Sequence, residues 1–70
     1  MKKNETVSIG PSSGRHVIIV AKAPKDDPGS TLVTRYVCRL FEGAGLPAKA
    51  SAEYRDFRAA EAWALITLSK

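Results

Sequence analysis

The stretch His16-Val17-Ile18-Ile19-Val20-Ala21 has apolar residues at both odd and even positions, and this constrains the fold more than any other part of the chain. Side chains alternate between the two faces of a β-strand, so the run predicts a strand that is covered on both faces. A chain of 70 residues with room for one good helix cannot easily cover both faces of a sheet by itself. The sequence therefore predicts that another molecule, most simply a second copy, covers one face.

The small size of the chain leads to the same expectation. A chain of about 60 residues buries only about 60% of its unfolded surface, and disulfides, metals or oligomerisation usually reinforce such domains. Cys38 is the only cysteine and His16 the only histidine. An internal disulfide is excluded, and these two residues fall short of the four ligands of a structural zinc. We therefore expect a homodimer, with no metal and no cofactor.

Charge and hydropathy indicate the setting in which the chain works. Eleven Lys and Arg residues against seven Asp and Glu give a net charge of +4, and the basic residues are scattered along the chain. That balance suits nucleic acid, but it also suits an ordinary small protein. No apolar run approaches the roughly 20 residues of a membrane span. Asn4-Glu5-Thr6 stands where a signal peptide would continue with apolar residues, so we expect a cytoplasmic protein with no membrane partner.

The chain divides into an N-terminal arm, residues 1–14, and a single small domain, residues 15–70. The arm is either flexible or contains a short edge strand at Thr6–Ile9 that turns through Gly10–Gly14 to pair with the next strand. That next strand is predicted over Arg15–Ala23, since Pro24 cannot donate to a sheet.

The segment Thr31–Phe41 has the spacing of an amphipathic helix. Its apolar residues recur at i, i+1, i+4, i+5, i+8 and i+9, and a glycine and a proline follow at Gly43 and Pro47. Either Asp27 or Ser30 caps the predicted helix. The apolar residues that form this stripe are Leu32, Val33, Tyr36, Val37, Leu40 and Phe41.

The remainder of the chain predicts two further strands. Apolar and polar residues alternate from Ala48 to Arg55. Phe57–Ala64 is rich in alanine and could be helical by propensity, but Ala64-Leu65-Ile66-Thr67-Leu68 favours a strand, which we predict over Ala62–Ser69. The expected fold is α+β: a small (β)βαββ sheet with one amphipathic helix packed on one face. If the first two strands of the domain run parallel, their crossover is right-handed.

This arrangement predicts an interaction surface on the uncovered face of the sheet. In a final strand, the small residues Ala62 and Ala64 suit the side beneath the helix. Trp63 and Leu65 then project from the open face, beside apolar residues of the first strand such as Ile18 and Val20. An apolar patch of this size is typical of an interface, so these four residues are the predicted partner or dimer contacts.

No motif in the sequence indicates catalysis. His16 and Cys38 are interpreted as structural, and the loop Lys22–Thr31 lacks the spacing of a phosphate-binding P-loop. Arg35 and Arg39, four apart on the polar side of the predicted helix, either form a solvated face or contact nucleic acid or an acidic partner. Lys49 and Arg55 would extend that contact surface.

The sequence thus predicts a non-enzymatic interaction or regulatory protein that binds a protein partner, as a homodimer. Its small size associates it with inhibitors and modulators, including accessory proteins of phages and other mobile elements. The alternative is a nucleic-acid-binding regulator that uses the basic helix face. An affinity that falls steeply with salt, and a salt dependence that flattens when Arg35 and Arg39 are replaced by alanine, would distinguish the second from the first.

Overall fold

The chain forms a four-stranded antiparallel sheet with one helix on one face. A computed structural model describes residues 1–11 and 13–70. The elements are β1 (Thr6–Ile9), β2 (His16–Lys22), β3 (Arg35–Phe41), β4 (Ala50–Tyr54) and α1 (Phe57–Leu68). The strand order β1-β2-β3-β4 is that of a meander, in which each strand pairs with the next one along the chain. The α+β class with a single packed helix is confirmed, but the helix follows the strands instead of separating them, and no crossover is needed.

The first two strands form a hairpin that joins the N-terminal arm to the domain. Thr6–Ile9 is the edge strand that was one of the two alternatives for the arm. Gly10 has a φ of +99°, and a Cβ built there would lie 2.7 Å from the carbonyl oxygen of Arg15. Only glycine fits at this position. The predicted turn Gly10–Gly14 includes Ser12, which lies outside the described residues.

The helix predicted over Thr31–Phe41 is wrong, because Arg35–Phe41 is the strand β3. Apolar residues at i, i+1, i+4 and i+5 fill both faces of a central strand as well as one stripe of a helix. In β3, Tyr36 and Leu40 pack towards α1, whereas Val37 and Phe41 lie on the other face. Pairing with a strand on each side explains why the helical spacing is misleading here.

Residues Pro24–Thr34 form a loop, so neither of the predicted caps begins a helix. The backbone N–H of Ser30 donates to the carbonyl of Asp27 over 3.0 Å. The Ser30 hydroxyl in turn accepts a bond from the Leu32 N–H over 3.1 Å. Ser and Asp thus support local turns here, which is their other common use.

The strand predicted over Ala62–Ser69 is also wrong, since Phe57–Leu68 forms α1. Asp56 supplies the N-cap, and its carboxylate accepts a bond of 3.2 Å from the Arg58 N–H. Ala60 and Ala64, four residues apart, are completely buried against the sheet. Their small side chains allow the helix to pack closely, which outweighs the β propensity of Ile66 and Thr67.

The core lies between α1 and one face of the sheet. Val17 and Ile19 of β2 are fully buried there and pair across the sheet with Leu40 and Cys38 of β3. Partly buried side chains close the rim of this core; they are Ile9, Tyr36, Tyr54, Phe57, Trp63 and Leu68. Within the described residues, no helix is long and apolar enough to cross a membrane.

Candidate binding surface

The face of the sheet opposite α1 is the candidate site, here called the open face. It carries the side chains that alternate with the core residues, and among residues 1–11 and 13–70 no helix or strand covers it. The strand register assigns twelve residues to it: Thr6, Ser8, His16, Ile18, Val20, Lys22, Arg35, Val37, Arg39, Phe41, Ser51 and Glu53.

The middle of the open face is apolar and half-buried. Val20 lies opposite Val37 on the neighbouring strand, and Ile18 lies beside them along β2. Cross-strand pairs of β-branched residues stabilise antiparallel sheets, which explains this stripe without any ligand. The same pairing presents an ordered apolar surface to any partner that binds this face.

Arg39 lies within this apolar surface and is exposed. Ile18 is its cross-strand neighbour on β2, and the exposed Ser51 is its neighbour on β4. No carboxylate among the described residues lies within salt-bridge distance of its guanidinium. An arginine in this setting presents its planar set of N–H donors to whatever approaches the face.

One end of the open face is held together by a second arginine. Arg35 donates from Nε to the carbonyl oxygen of Ala23 over 2.9 Å and from Nη1 to Oε1 of Glu53 over 3.0 Å. The other carboxylate oxygen of Glu53 lies 3.9 Å from Nζ of Lys25. Lys22 is the cross-strand neighbour of Arg35, so this end of the face is predominantly basic.

The opposite end of the face is aromatic. The rings of His16 and Phe41 stack with centroids 5.2 Å apart and an interplanar angle of 15°. His16 is buried, and its Nδ1 lies 2.7 Å from the carbonyl oxygen of Gly14. These contacts give His16 a structural place in the sheet, with its ring supporting the half-buried Phe41.

The predicted basic contacts Arg35, Arg39, Lys49 and Arg55 do not share a helix face, but the sheet assembles part of the set. Arg35 and Arg39 lie on the open face of β3, two pleats apart. Arg55 follows β4 and borders the same depression as Arg35. Lys49 lies at the other end of β4, where it pairs with Glu42 over 3.3 Å.

The predicted apolar contacts are divided between the two sides of the molecule. Ile18 and Val20 lie on the open face, as expected. Trp63 is on α1 and packs against the core, while Leu65 points away from the sheet and is 56% exposed. The four residues do not form one patch, because Trp63 and Leu65 lie on α1 and not on the predicted final strand.

The sequence interpretation missed Lys22, Val37 and Phe41 as members of the open face. The signal that could have located them is alternation from Arg35 to Phe41, where Arg35, Val37, Arg39 and Phe41 share one parity. Because basic and apolar residues occupy this face together, hydrophobicity does not alternate along β3 and the two-residue period is not visible in the sequence.

The side chain of Cys38 lies on the opposite face of the sheet from this surface. Cys38 is fully buried beneath α1, with its Sγ 3.9 Å from the carbonyl oxygen of Ala60, and burial raises the pKa of the thiol. In the part of the chain that the structure describes, no three His, Cys, Asp or Glu side chains are grouped to hold a metal ion.

Comparison of the chain with known proteins does not identify a family. No family model, no curated protein and no solved structure matches the chain. Its function has to be argued from the surface itself.

Proposed function

We propose that this protein binds double-helical nucleic acid through the open face of its sheet, acting by binding and not by catalysis. The observation that carries the proposal is Arg39, an exposed guanidinium in the middle of the open face with no carboxylate partner among the described residues. Arginine is the side chain that most often contacts guanine edges, which it binds through two donors at once. Several DNA-binding proteins place β-strands in a groove in this way.

The charges and hydroxyls around Arg39 support this proposal. Lys22 and Arg35 occupy one end of the face, and the exposed hydroxyls of Ser8, Thr6 and Ser51 lie on its outer strands. Lysine, arginine and hydroxyl side chains are the usual donors to backbone phosphates. The net charge of +4 favours the same partner, and a cytoplasmic location would suit it.

A homodimer formed by stacking two open faces is less favourable on the same observations. Such a dimer would bury the Arg39 guanidinium of both copies, and Glu53, the one carboxylate on the open face, would have to leave Arg35 to receive it. Removing an unpaired charge from water costs several kcal/mol, by order of magnitude. Nucleic acid brings phosphate and base acceptors to Arg39 without taking Glu53 for that purpose.

The test is the salt dependence of duplex binding, measured by fluorescence anisotropy with a labelled DNA duplex at 50–200 mM salt. We expect Arg39→Ala to weaken binding by about 10-fold or more, the value of a lost base or phosphate contact. Arg58→Ala removes the same charge from the exposed surface of α1 and serves as the control. Equal effects of the two substitutions, or no duplex binding at the lowest salt, would contradict the proposal.

A protein partner remains a second candidate because the open face also carries the half-buried Ile18, Val20 and Val37. A partner that covers these residues would need a carboxylate opposite Arg39. The simplest protein partner is a second copy of the chain, and light scattering tests for it by measuring the mass in solution. A dimer that becomes a monomer in Ile18→Asp would support a homodimer through the open face. A wild-type monomer would eliminate the homodimer.

A further inference from the structure

A depression at the basic end of the open face has the composition of an anion site. It forms where β2 ends, β3 begins and β4 ends, and its volume is about 360 Å³. The side chains that line it are Pro24, Lys25, Thr34, Arg35, Glu53 and Arg55. Three cations and one hydroxyl thus surround a single carboxylate. We call it the Arg35 depression.

Arg35 is fixed in place before any ligand arrives. Its Nε is tied to the backbone at Ala23, and its Nη1 is bonded to Glu53. In the described part of the chain these bonds use two of the five N–H donors of the guanidinium. A guanidinium that is already ordered loses less side-chain entropy when it binds a second anion.

The carboxylate of Glu53 shows where an anion is stable in this depression. It bridges Arg35 and Lys25, at 3.0 Å and 3.9 Å respectively, and its side chain is 42% exposed. A phosphate group has more acceptor oxygens than a carboxylate. It can therefore bind the same two cations and still have oxygens free for other donors, and Arg55 and Thr34 line the same depression.

We infer that the Arg35 depression binds a backbone phosphate of the nucleic acid, and that Glu53 is an internal competitor for that phosphate. The inference rests on the proposed function and extends it: Arg39 contacts the groove while Arg35, Lys25 and Arg55 hold the strand beside it. The phosphate displaces the carboxylate of Glu53 from the two cations, with no change in the fold of the sheet.

Glu42 provides a matched control for Glu53. It also bridges two cations, lying 3.6 Å from Arg15 and 3.3 Å from Lys49, but at the opposite end of the sheet. Both Glu53→Gln and Glu42→Gln raise the net charge by one. We expect Glu53→Gln to tighten duplex binding by about three- to tenfold more than Glu42→Gln at low salt, since only Glu53 competes at the site. Equal effects of the two variants would overturn the competitor role.

Lys49 provides the corresponding control for Lys25. Their side chains are 74% exposed for Lys25 and 68% for Lys49, and each pairs with one glutamate. We expect Lys25→Gln, but not Lys49→Gln, to reduce the slope of log K against log salt by about 0.9, the value for one phosphate contact in duplex DNA. Equal slopes for the two variants, with binding still sensitive to Arg39→Ala, would refute the phosphate site and leave the proposed function standing.

Inorganic phosphate distinguishes the source of the anion. Titrated into the protein alone, it should shift the NMR signal of the Arg35 Nε–H, and more strongly in Glu53→Gln. That shift together with duplex binding supports a backbone phosphate. The same shift in a protein that binds no duplex would overturn the assignment to nucleic acid and indicate a smaller phosphorylated ligand.

Discussion

The two faces of the sheet are built from the same two central strands but differ in how completely their side chains are buried. On the covered face, Val17 and Ile19 pack against Ala60 and Ala64 with no exposed area. On the open face, Ile18 and Val20 are only half-buried, and Ile18 lies opposite the exposed Arg39. Neighbouring residues of one strand therefore differ in burial, because the pleat sends each of them to a different face.

The largest difference between the faces should appear when two adjacent isoleucines are shortened. Ile19→Ala leaves a cavity in the closed core and should reduce the free energy of unfolding by about 2–5 kcal/mol. Ile18→Ala, on the open face, should cost about 1 kcal/mol or less, since its surroundings can collapse or admit water. Urea denaturation of both variants measures the contrast. Similar losses at the two positions would mean that the open face is covered as tightly as the core.

A smaller difference should separate two alanines of α1. Ala64 touches the sheet with no exposed area, whereas Ala62 is exposed. Ala64→Leu forces the helix away from β2 and β3 and should destabilise the protein by about 1–3 kcal/mol. Ala62→Leu should change stability by less than about 0.5 kcal/mol. Thermal unfolding by circular dichroism reports both, and a tolerated Ala64→Leu would show that α1 is not closely packed.

The smallest effect concerns the thiol on the covered face. Burial raises the pKa of Cys38 above its ordinary value of 9.0, so the folded state holds the thiol proton more tightly than the unfolded state. The resulting stability is fully present below pH 9 and is lost as the pH rises through the folded-state pKa. Above pH 9 the wild type should lose stability faster than Cys38→Ala, as urea titrations at several pH values can show. Parallel pH profiles would indicate that the thiol is solvated.

The sequence predicts two of the strands, β2 and β4, correctly. The apolar run in β2 predicted a central strand with two apolar faces, and the alternation after Pro47 predicted β4. The alternation after Pro47 has the two-residue period of a strand. The run in β2 has no such period, and its β-branched residues and the following Pro24 are what favour a strand there.

The sequence misled where tertiary packing decided between helix and strand. Val37 and Phe41 on one face of β3, with Tyr36 and Leu40 on the other, imitate a helical stripe. The terminal segment has β-branched residues at Ile66 and Thr67, yet it forms a helix. The decisive contacts there are those of Ala60 and Ala64 with strands distant in the sequence.

The sequence places Arg35 and Arg39 on a common face correctly but predicts the wrong element to carry them. Arg35 and Arg39 were grouped because they are four residues apart, a spacing that shares a face in a helix and also in a strand. The prediction that Trp63 lies on the open face depends on a final strand, which does not form. Arg35 and Arg39 therefore share a face despite the wrong secondary structure, whereas the predicted apolar patch does not form.

The most direct test of the central claim is methyl NMR of the protein during titration with a DNA duplex at low salt. Ile18 and Ile19 are adjacent and lie on opposite faces, so we expect their methyl groups to give separate signals. The account predicts that the methyl signals of Ile18 and Val20 shift and show intermolecular contacts with DNA protons, while those of Ile19 and Val17 change little. Shifts confined to Leu65 and Ile66 on the outer side of α1, or no shift anywhere, would contradict it.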